Sequence, residues 1–411
     1  MVPKGWELSS IGKISDVSSG GTPSRNNEAY WNGNIPWVTT AEVQFKIIED
    51  TVEKITEEGL ANSSAKLFPA GTILMAMYGQ GKTRGQVAKL GIDASTNQAC
   101  AAIVLHTGYE VDFYYQFLIS QYENIREMAN SGGQQNLSGG IVKSIPVPVP
   151  PLTEQKKIAK ILSTWDNAIS VTEKLLTNSQ QQKKALMQQL LTGKKRLLDE
   201  NGVRFSGEWE KGKFCDMANI DTGYAFKSKD FTQSDSGIPI IRMSDFKTGG
   251  LDVLGAAKVD RDSVNGLDKF KLRVGDFVFG MSGSLNNYGR VEKKDLPCYL
   301  NQRVGRILAK ECANQAFITY LYLSDSIQQS ILDKAAGAAQ LNISISDLRS
   351  MVVYYPCIEE QQKIAAVLSA ADAEISTLEK KLACLRDEKK ALMQQLLTGK
   401  RRVKVDEAVA E

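Results

Sequence analysis

KKALMQQLLTGK stands at Lys183–Lys194 and again, unchanged, at Lys389–Lys400. The two copies lie 206 residues apart, and the same offset aligns EQKKIAKILSTWDNAIS from Glu154 with EQQKIAAVLSAADAEIS from Glu360. From these glutamates onward, 26 of 43 positions are identical. A repeat of this length predicts a chain made of two related halves, each ending in the same kind of segment.

Both repeated segments carry apolar side chains at alternating steps of three and four residues. This spacing is typical of a long helix that packs on another helix. In the second copy the seam consists of Ile364, Leu368, Ala371, Ile375, Leu378, Leu382, Leu385, Leu392 and Leu396. The first copy is looser, and polar residues fill some of its positions: Ile158, Leu162, Trp165, Ile169, Thr172, Leu176, Ser179, Lys183, Leu186 and Leu190.

The ends of these helices carry recognisable signals. Pro150 and Pro151 precede Thr153, which we predict to be the N-cap, and Gly193 and Gly399 are natural C-terminal stops. Each helix would then span roughly 40 residues, or about 60 Å. Two such seams in one chain predict an intramolecular antiparallel coiled coil with pseudo-two-fold symmetry, whose repeated outer faces could hold two copies of one partner.

The segments before the two helices differ much more, but short stretches still correspond. The chain thus alternates variable and constant parts. The corresponding stretches are Trp6-Glu7 with Trp209-Glu210, NIPWVTTAEV from Asn34 with GIPIIRMSDF from Gly237, AGTILMAMYG from Ala70 with VGDFVFGMSG from Val274, Asn97-Gln98 with Asn301-Gln302, and Gln134 and Asn136 with Gln340 and Asn342.

The variable parts mix β-type runs such as GTILMAMY with Gly-rich loops and one predicted helix each, near Asp112–Ala129 and Ala316–Lys334. The predicted fold class is therefore α/β: two α/β domains separated by two long helices. The polar loops, including SSGGTPSR, YGQGKTRGQ, MSGSLNNYGR and SGGQQN, offer donors and acceptors that can reach base edges and phosphates.

Composition bounds the class of protein. At 411 residues with 42% hydrophobic and 24% charged residues, the chain fits two or three globular domains. No apolar run reaches the roughly 18 residues of a membrane helix, and MVPKGWELSS is not a signal peptide, so we expect a cytoplasmic protein with no membrane partner. Six cysteines without a CxxC pair suggest neither a metal site nor a disulfide framework, and we expect no cofactor.

In the order of these pieces the chain resembles the specificity subunit of type I restriction-modification systems, over essentially its whole length. The matching stretches are W-E at Trp6 and Trp209, SSGGTPSR from Ser18, STNQAC from Ser95, PLTEQKKIA from Pro151, and LMQQLLTGK at both helix ends. The resemblance implies a target-recognition domain at 1–151, a helical region at 152–196, a second recognition domain at 197–356, a second helical region at 357–402 and a tail at 403–411.

The resemblance also implies a function. Each recognition domain would bind one half of a bipartite site in double-stranded DNA, and the helices would set the spacing and dock two methyltransferase subunits. Motor-nuclease subunits would join for restriction. The chain itself would be non-catalytic.

The family pattern does not fix which residues touch bases, so the candidates come from the polar loops. Arginine suits guanine and glutamine suits adenine, because each pair can form two hydrogen bonds. In the first half the candidate DNA-binding residues are Arg25, Tyr78, Gln80, Lys82, Arg84 and Gln134. In the second half they are Tyr224, Lys227, Lys229, Arg242, Ser284, Asn286, Asn287, Tyr288 and Arg303.

The main rival is an NTP-binding protein, because AMYGQGKT at Ala76–Thr83 fits a relaxed P-loop pattern. A phosphate loop needs a helix immediately downstream, whereas TRGQVAKLGI predicts a hairpin, and MSGSLNNYGR in the second half lacks the Gly-Lys pair. Binding of labelled ATP with Mg²⁺ would separate the two interpretations. A non-DNA coiled-coil adaptor is another alternative, which would lack the steep salt dependence of phosphate contacts.

Catalytic interpretations have less support. A nuclease could use Asp276 with Glu292-Lys293-Lys294 to hold Mg²⁺, but the first half lacks these residues. The chain has no Asn/Asp-Pro-Pro-Tyr/Phe tetrapeptide of adenine methyltransferases, and His106 has no partners for a catalytic or metal cluster. The sequence therefore predicts no catalytic residues and no metal site.

Overall fold

The computed structural model describes residues 2–79, 82–130, 136–247, 250–282, 284, 287–335 and 343–404. The chain divides into two compact units: Met1–Lys174 with Lys380–Glu411, and Leu175–Glu379. Each unit therefore contains one variable segment, the beginning of one long helix and the end of the other.

The first variable segment and the helix that follows it contain eleven strands and six helices among the described residues. The strands are β1 Glu7–Ser10, β2 Ser15–Ser19, β3 Trp31–Val38, β4 Ile47–Ile48, β5 Glu53–Ile55, β6 Leu67–Phe68, β7 Ile73–Ala76, β8 Val87–Leu90, β9 Ala94–Thr96, β10 Cys100–Leu105 and β11 Pro146–Val149. The helices are α1 Ile11–Ile14, α2 Glu57–Ala61, α3 Val111–Ser120, α4 Tyr122–Asn130, α5 Gly139–Ser144 and the long α6 Leu152–Leu190.

The second half repeats this arrangement. Its strands are β12 Glu210–Lys213, β13 Ala218–Thr222, β14 Phe231–Thr232, β15 Ile238–Ile241, β16 Phe246–Lys247, β17 Gly250–Leu251, β18 Lys258–Val259, β19 Phe277–Gly280, β20 Tyr288–Arg290, β21 Tyr299–Leu300, β22 Val304–Ala309 and β23 Val352–Tyr355. Its helices are α7 Phe214–Met217, α8 Gln315–Tyr322, α9 Asp325–Ala335, α10 Ile345–Ser350 and the long α11 Ile358–Leu396. Short 3₁₀ turns lie at Glu28–Tyr30, Thr40–Glu42, Ser228–Asp230, Met243–Asp245, Arg261–Val264, Asp268–Phe270 and Lys293–Asp295.

The two units contain the same central sheet. Its strand order is β2-β10-β7-β8 in the first unit, extended by β4, and β13-β22-β19-β20 in the second, and these four strands are antiparallel in both. Each unit also has a parallel pair at equivalent strands, β3 with β9 and β15 with β21, and in the first unit β4 is parallel to β8 as well. The mixed α/β architecture predicted from the sequence is confirmed. The corresponding stretches from Asn34 and Gly237 fall on the equivalent strands β3 and β15, and those from Ala70 and Val274 on β7 and β19.

The helix predicted in each variable segment is in fact two helices. In the first unit α3 ends at Ser120, and Gln121 leaves the helical conformation before α4 begins. In the second unit the hydroxyl of Ser324 accepts a hydrogen bond from Ile327 at the start of α9. A side chain that bonds to the backbone in this way supplies an N-terminal partner and favours a new helix over continuation of the old one.

Each long helix spans 39 residues, close to the predicted 40. The predicted N-cap at Thr153 is wrong, because α6 already begins at Leu152 and the carbonyl of Pro151 accepts from the amides of Glu154 and Gln155. The predicted stops are confirmed: Gly193 and Gly399 have φ of +68° and +71°, a left-handed conformation that glycine adopts without steric cost.

The predicted seam residues of both long helices are all buried or half-buried, whereas most residues between them are exposed. In the first unit Ile158 and Leu162 of α6 join Met393 and Leu396 of α11 in the main hydrophobic core. In the second unit the equivalent residues Ile364, Leu368 and Leu190 are buried in the corresponding core, and Met187 packs against it partly buried. Burial of the seam thus ties both long helices to each domain core, at roughly 1.5–3 kcal/mol per large side chain.

Within each unit, ion pairs join one long helix to the other or to the segment that follows the other, and two kinds of pair repeat at the 206-residue offset. The buried Glu154 pairs with Arg402, and the fully buried Glu360 pairs with Arg196 at 2.7 Å. Lys389, which interrupts the second seam, and the equivalent Lys183 pair with Asp166 and Asp372 at 2.6 and 2.5 Å. Along α6 in the first unit, the residue number of the partner falls as that of the α6 residue rises. Glu154 pairs with Arg402, which follows the end of α11, while Asp166 and Glu173 pair with Lys389 and Arg386 within α11.

Among the helices in the described part of the chain, none combines the length and the apolar character needed to cross a membrane.

Candidate nucleic-acid interface

Three loops of the first unit leave the same end of its central sheet. Because neighbouring strands are antiparallel, the ends of β2 and β7 lie beside the starts of β10 and β8. Backbone hydrogen bonds tie the loops together, from Gly21 to Thr96 at 2.8 Å and from Met77 to Ala99 at 2.9 Å. The side chain of Thr22 also donates to that of Gln98. The Gly-rich loops noted in the sequence therefore share one surface.

The second unit has the equivalent loops at the equivalent sheet end. Tyr224 donates its amide to Leu300 at 2.9 Å, and Met281 donates to Arg303 at 3.2 Å. The loop before β22 continues this network, because Asn301 donates to Ile241 at 3.1 Å, next to Arg242. The side-chain oxygens of Asn301 and Asn97 each accept a backbone amide two residues on, so the Asn-Gln repeat marks the same turn in both units.

A glycine enables the close packing of these loops in each unit. A Cβ atom on Gly20 would lie 1.9 Å from the carbonyl oxygen of Thr96, and one on Gly223 would lie 2.0 Å from that of Leu300. No side chain fits at such distances. The loop after the first sheet strand therefore passes directly over the strand end that precedes the Asn-Gln turn.

The first-unit candidates differ in how free their side chains are. Tyr78 and Lys82 are exposed, and Arg84 is half-buried in the turn before β8. Arg25 instead lies over Trp31, with the guanidinium carbon 3.8 Å from the ring centroid, and forms two hydrogen bonds with Glu53. The bond from Arg25 lowers the pKa of Glu53, and the carboxylate raises the pKa of Arg25. A base contact by Arg25 would require this pair to open.

Most second-unit candidates lie around the shared sheet end. Lys227 and Lys229 are exposed, as are Ser284 and Arg303 in the two neighbouring loops, while Asn287 is half-buried. Arg242 is half-buried, with its Nε 3.7 Å from Asp245. Tyr224 is half-buried beside Phe226, with their ring centroids 5.0 Å apart.

Tyr288 is the candidate that points elsewhere. Its ring lies 5.9 Å from Phe277, and burial raises the pKa of its hydroxyl. It lines a cavity together with Lys183 and Asp372 of the long helices. Three further candidates, Gln80, Gln134 and Asn286, lie outside the described residues.

Sequence reasoning missed two residues at these surfaces, Gln98 and Gln302. Both are exposed, and both follow the asparagine that forms the shared turn. The sequence did contain a signal for both glutamines, because Asn-Gln is one of the few residue pairs that the two divergent halves share. Glutamine at such a position can form two hydrogen bonds with adenine.

The geometry disfavours the catalytic interpretations. The P-loop-like stretch leads into strand β8, which pairs with β7, and no helix begins between them in the described residues. Asp276 is buried, lies 3.3 Å from Arg306 and accepts the amide of Arg273, while Glu292 pairs with Lys294 at the surface. Within the described ranges no group of three or more His, Cys, Asp or Glu side chains could hold a metal ion.

Comparison with known proteins agrees with this geometry. The family described as "Type I restriction modification DNA specificity domain" matches residues 3–178 and 206–385. The chain is 27% identical, over 98% of its length and 94% of the relative's, to the type I restriction enzyme MjaVIII specificity subunit of Methanocaldococcus jannaschii. It is 30% identical to the EcoR124I/EcoR124II specificity subunit of Escherichia coli over 41% of this chain and 43% of that one.

Solved structures share the fold. The S subunit of a type I restriction-modification system from M. genitalium superimposes with a TM-score of 0.61 and 16% identity, covering 96% of each chain. A chain from a study of complex assembly and conformational transition in the type I system gives a TM-score of 0.57 and 16% identity, covering 98% of this chain and all of that one. The fold is thus shared at an overall sequence identity of 16%.

Proposed function

Since this chain belongs to the type I restriction modification DNA specificity family, we propose that its two units bind the two halves of one site in double-stranded DNA. The observation that carries this proposal is the repetition of one loop arrangement, at one end of one sheet, in two units whose loop sequences differ. A common scaffold with different side chains at its loop ends can recognise two different base sequences.

The loops of each unit offer the side chains for this recognition. In the first unit we propose Tyr78, Gln80, Lys82, Arg84, Gln98 and Gln134, with Arg25 once released from Glu53. In the second we propose Tyr224, Lys227, Lys229, Arg242, Ser284, Asn286, Asn287, Gln302 and Arg303. Lysines would contact phosphates and so add affinity without selecting a sequence, whereas arginine, asparagine and glutamine would select bases. For Tyr288 the proposed role is different and follows from the cavity that it lines.

We propose that the long helices pair as an intramolecular antiparallel coiled coil with pseudo-two-fold symmetry, between recognition domains at 1–151 and 197–356. The falling order of ion-pair partners within the first unit and the repetition of these pairs at the 206-residue offset support this. Such a rod would set the distance between the two half-sites.

The chain is the specificity component of a type I restriction-modification complex, so the chemistry belongs to its partners. Modification subunits methylate the DNA and restriction subunits move and cleave it. We propose that the repeated helix faces dock two methyltransferase subunits, one on each copy of the repeat. A role on DNA is also the basis for proposing that the chain works in the cytoplasm.

Exchange of one recognition domain tests the proposal. Residues 1–151 are replaced by the corresponding domain of a relative, and the chimera is expressed with its methyltransferase. Because the units are separate modules, the genome-wide map of N6-methyladenine should show one half-site changed and the other retained. A change in both half-sites would contradict modular recognition, and methylation of unrelated sites by the unaltered complex would contradict sequence selection itself.

A paired substitution tests the contacts. Gln98→Ala should weaken selection at one position of one half-site, and Gln302→Ala at one position of the other, by about 1–3 kcal/mol, which corresponds to roughly five- to 150-fold. Exposed Gln44→Ala, which removes a glutamine of the same unit as Gln98, serves as the control. Relaxed selection in both half-sites from either substitution would contradict the assignment, and an unchanged motif would remove these glutamines from the interface.

A further inference from the structure

The second unit contains a cavity that the DNA-reading loops do not explain. Its volume is about 230 Å³, and Arg290, Tyr288, Ala316 and Thr319 are among its lining residues. A larger cavity of about 540 Å³ shares Lys183 and Leu323 with it. All the residues that line both cavities belong to the second unit. The larger volume lies within the roughly 300–1,000 Å³ typical of small-molecule sites, and the smaller cavity shares lining residues with it.

The first unit provides a matched comparison for Arg290. In the antiparallel pair of β19 and β20, Phe277 stands opposite Arg290, and the equivalent pair in the first unit is Ile73 with Lys89. The ammonium group of Lys89 is bonded to the carboxylate of Asp112 in helix α3. The cation at this sheet position is thus neutralised in the first unit by an acid on the neighbouring helix.

The corresponding position in the second unit carries no acid. Helices α3 and α8 align at an offset of 204 residues, since Gln116 and Tyr320 each donate to the equivalent aspartates of the long helices, Asp166 and Asp372. At this offset Ala316 replaces Asp112. No carboxylate among the described residues forms an ion pair with Arg290, whose side chain is exposed.

The same alignment explains the cavity. Tyr115 of the first unit is only 6% exposed and fills the core, whereas the equivalent Thr319 is half-buried and lines the cavity. Replacement of an aspartate and a tyrosine by alanine and threonine therefore removes both a charge and a ring at one place. The result is a space beside Arg290, which has no carboxylate partner among the described residues.

The remaining charges make this space electropositive. The one carboxylate that lines the smaller cavity, Asp372, is already bonded to Lys183 at 2.5 Å and to the hydroxyl of Tyr320 at 2.6 Å. The larger cavity adds Lys184 and Lys194 against a single carboxylate, Asp325, which accepts a hydrogen bond from Gln188 at 2.9 Å. Phe277, Tyr288 and Tyr320 supply aromatic walls.

We propose that this cavity binds a free small molecule with an aromatic ring and a phosphate group, such as a mononucleotide. A guanidinium binds a phosphate through two parallel hydrogen bonds, and the excess of cations suits a dianion better than a monoanion. The ring would pack against Tyr288 and Phe277, and stacking on such side chains tolerates any base. The site is an addition to DNA reading and does not depend on it.

Calorimetric titration of the full-length chain tests this site, with adenosine 5′-monophosphate as the probe and with adenosine and inorganic phosphate as its two halves. The nucleotide should bind one saturable site per chain, and each half should bind at least tenfold more weakly. Arg290→Gln, which removes the cation, and Ala316→Asp, which restores the acid of the first unit, should each weaken nucleotide binding at least tenfold. The exposed Lys334→Gln, with the same charge change in the same unit, should leave it unchanged.

Circular dichroism and a gel shift with cognate DNA confirm that each variant is folded, so a loss of nucleotide binding is separable from a failure of DNA recognition. Three results would overturn the proposal: no saturable binding of the nucleotide by the unaltered chain, nucleotide binding by Arg290→Gln or Ala316→Asp as tight as that by the unaltered chain, or full competition by duplex DNA. The last result would mean that the phosphate recognised belongs to DNA.

Discussion

Two glutamates at the starts of the long helices show how single residues hold each unit together. Glu360 is fully buried, and Arg196 reaches it from the segment after the first long helix with two hydrogen bonds of 2.7 Å. The same guanidinium donates to the carbonyl of Gly207 at 2.8 Å. Its bond to Glu360 raises the pKa of Arg196. A buried carboxylate keeps its charge in the folded state only if such a partner is present.

Removal of Arg196 should therefore be costly. Arg196→Ala leaves the charge of Glu360 buried without its partner, which typically lowers the free energy of unfolding by about 3 kcal/mol or more. Urea unfolding followed by circular dichroism measures this. Arg204→Ala, an exposed arginine in the same segment, is the matched control and should change stability by less than about 0.5 kcal/mol. Equal effects of the two substitutions would show that the pair does not stabilise the unit.

At the scale of elements, the repeated sequence forms the two long helices, each 39 residues long. The interval between Lys174 and Leu175 in α6, and that between Glu379 and Lys380 in α11, are where the chain passes from one compact unit to the other. Residues inserted at these two points leave the ion pairs and the core contacts of each unit intact. Four residues make about one helical turn, so the seam keeps its face.

An insertion of four alanines at both points tests the helices as a ruler. The added length is roughly 6 Å, close to two steps of B-DNA at about 3.4 Å each. With the modification partner present, the methylation map should show the same half-sites with a spacer longer by one or two base pairs, and DNA twist or domain tilt would absorb the rotation.

Insertion in α6 alone is the control, because it mismatches the two seams and should lower stability without giving a new defined spacer. Circular dichroism distinguishes a misfolded variant from a folded variant whose two helix seams are out of register. An unchanged spacer in a folded, active double-insertion variant would mean that the helices dock partners without measuring the site.

At the scale of the whole molecule, the chain selects DNA and leaves catalysis to its partners. The purified chain should neither methylate nor cleave DNA under conditions where the complex with its modification and restriction subunits does both. Radiolabelled methyl transfer and plasmid cleavage provide the measurements, and DNA binding by the same preparation provides the control for folding. Turnover by the rigorously purified chain alone would contradict this division of labour.

Several features followed from the sequence alone because they depend on local periodicity. The 206-residue repeat predicted two related halves, and the heptad spacing predicted two helices within one residue of their observed length. Gly193 and Gly399 marked the helix stops because a left-handed turn favours glycine wherever it occurs. The Asn-Gln pairs corresponded between the two halves in the sequence, and the structure places them at equivalent turns.

Only the tertiary structure decided which distant residues meet. Nothing local in the sequence shows that Arg25 is held by Glu53, that Arg196 reaches Glu360, or that the single predicted helix of each variable segment breaks in two. It also divided the chain so that each unit takes half of both long helices. The physical reason is that periodicity fixes the conformation of a segment, whereas burial, charge pairing and close packing depend on segments brought together from across the chain.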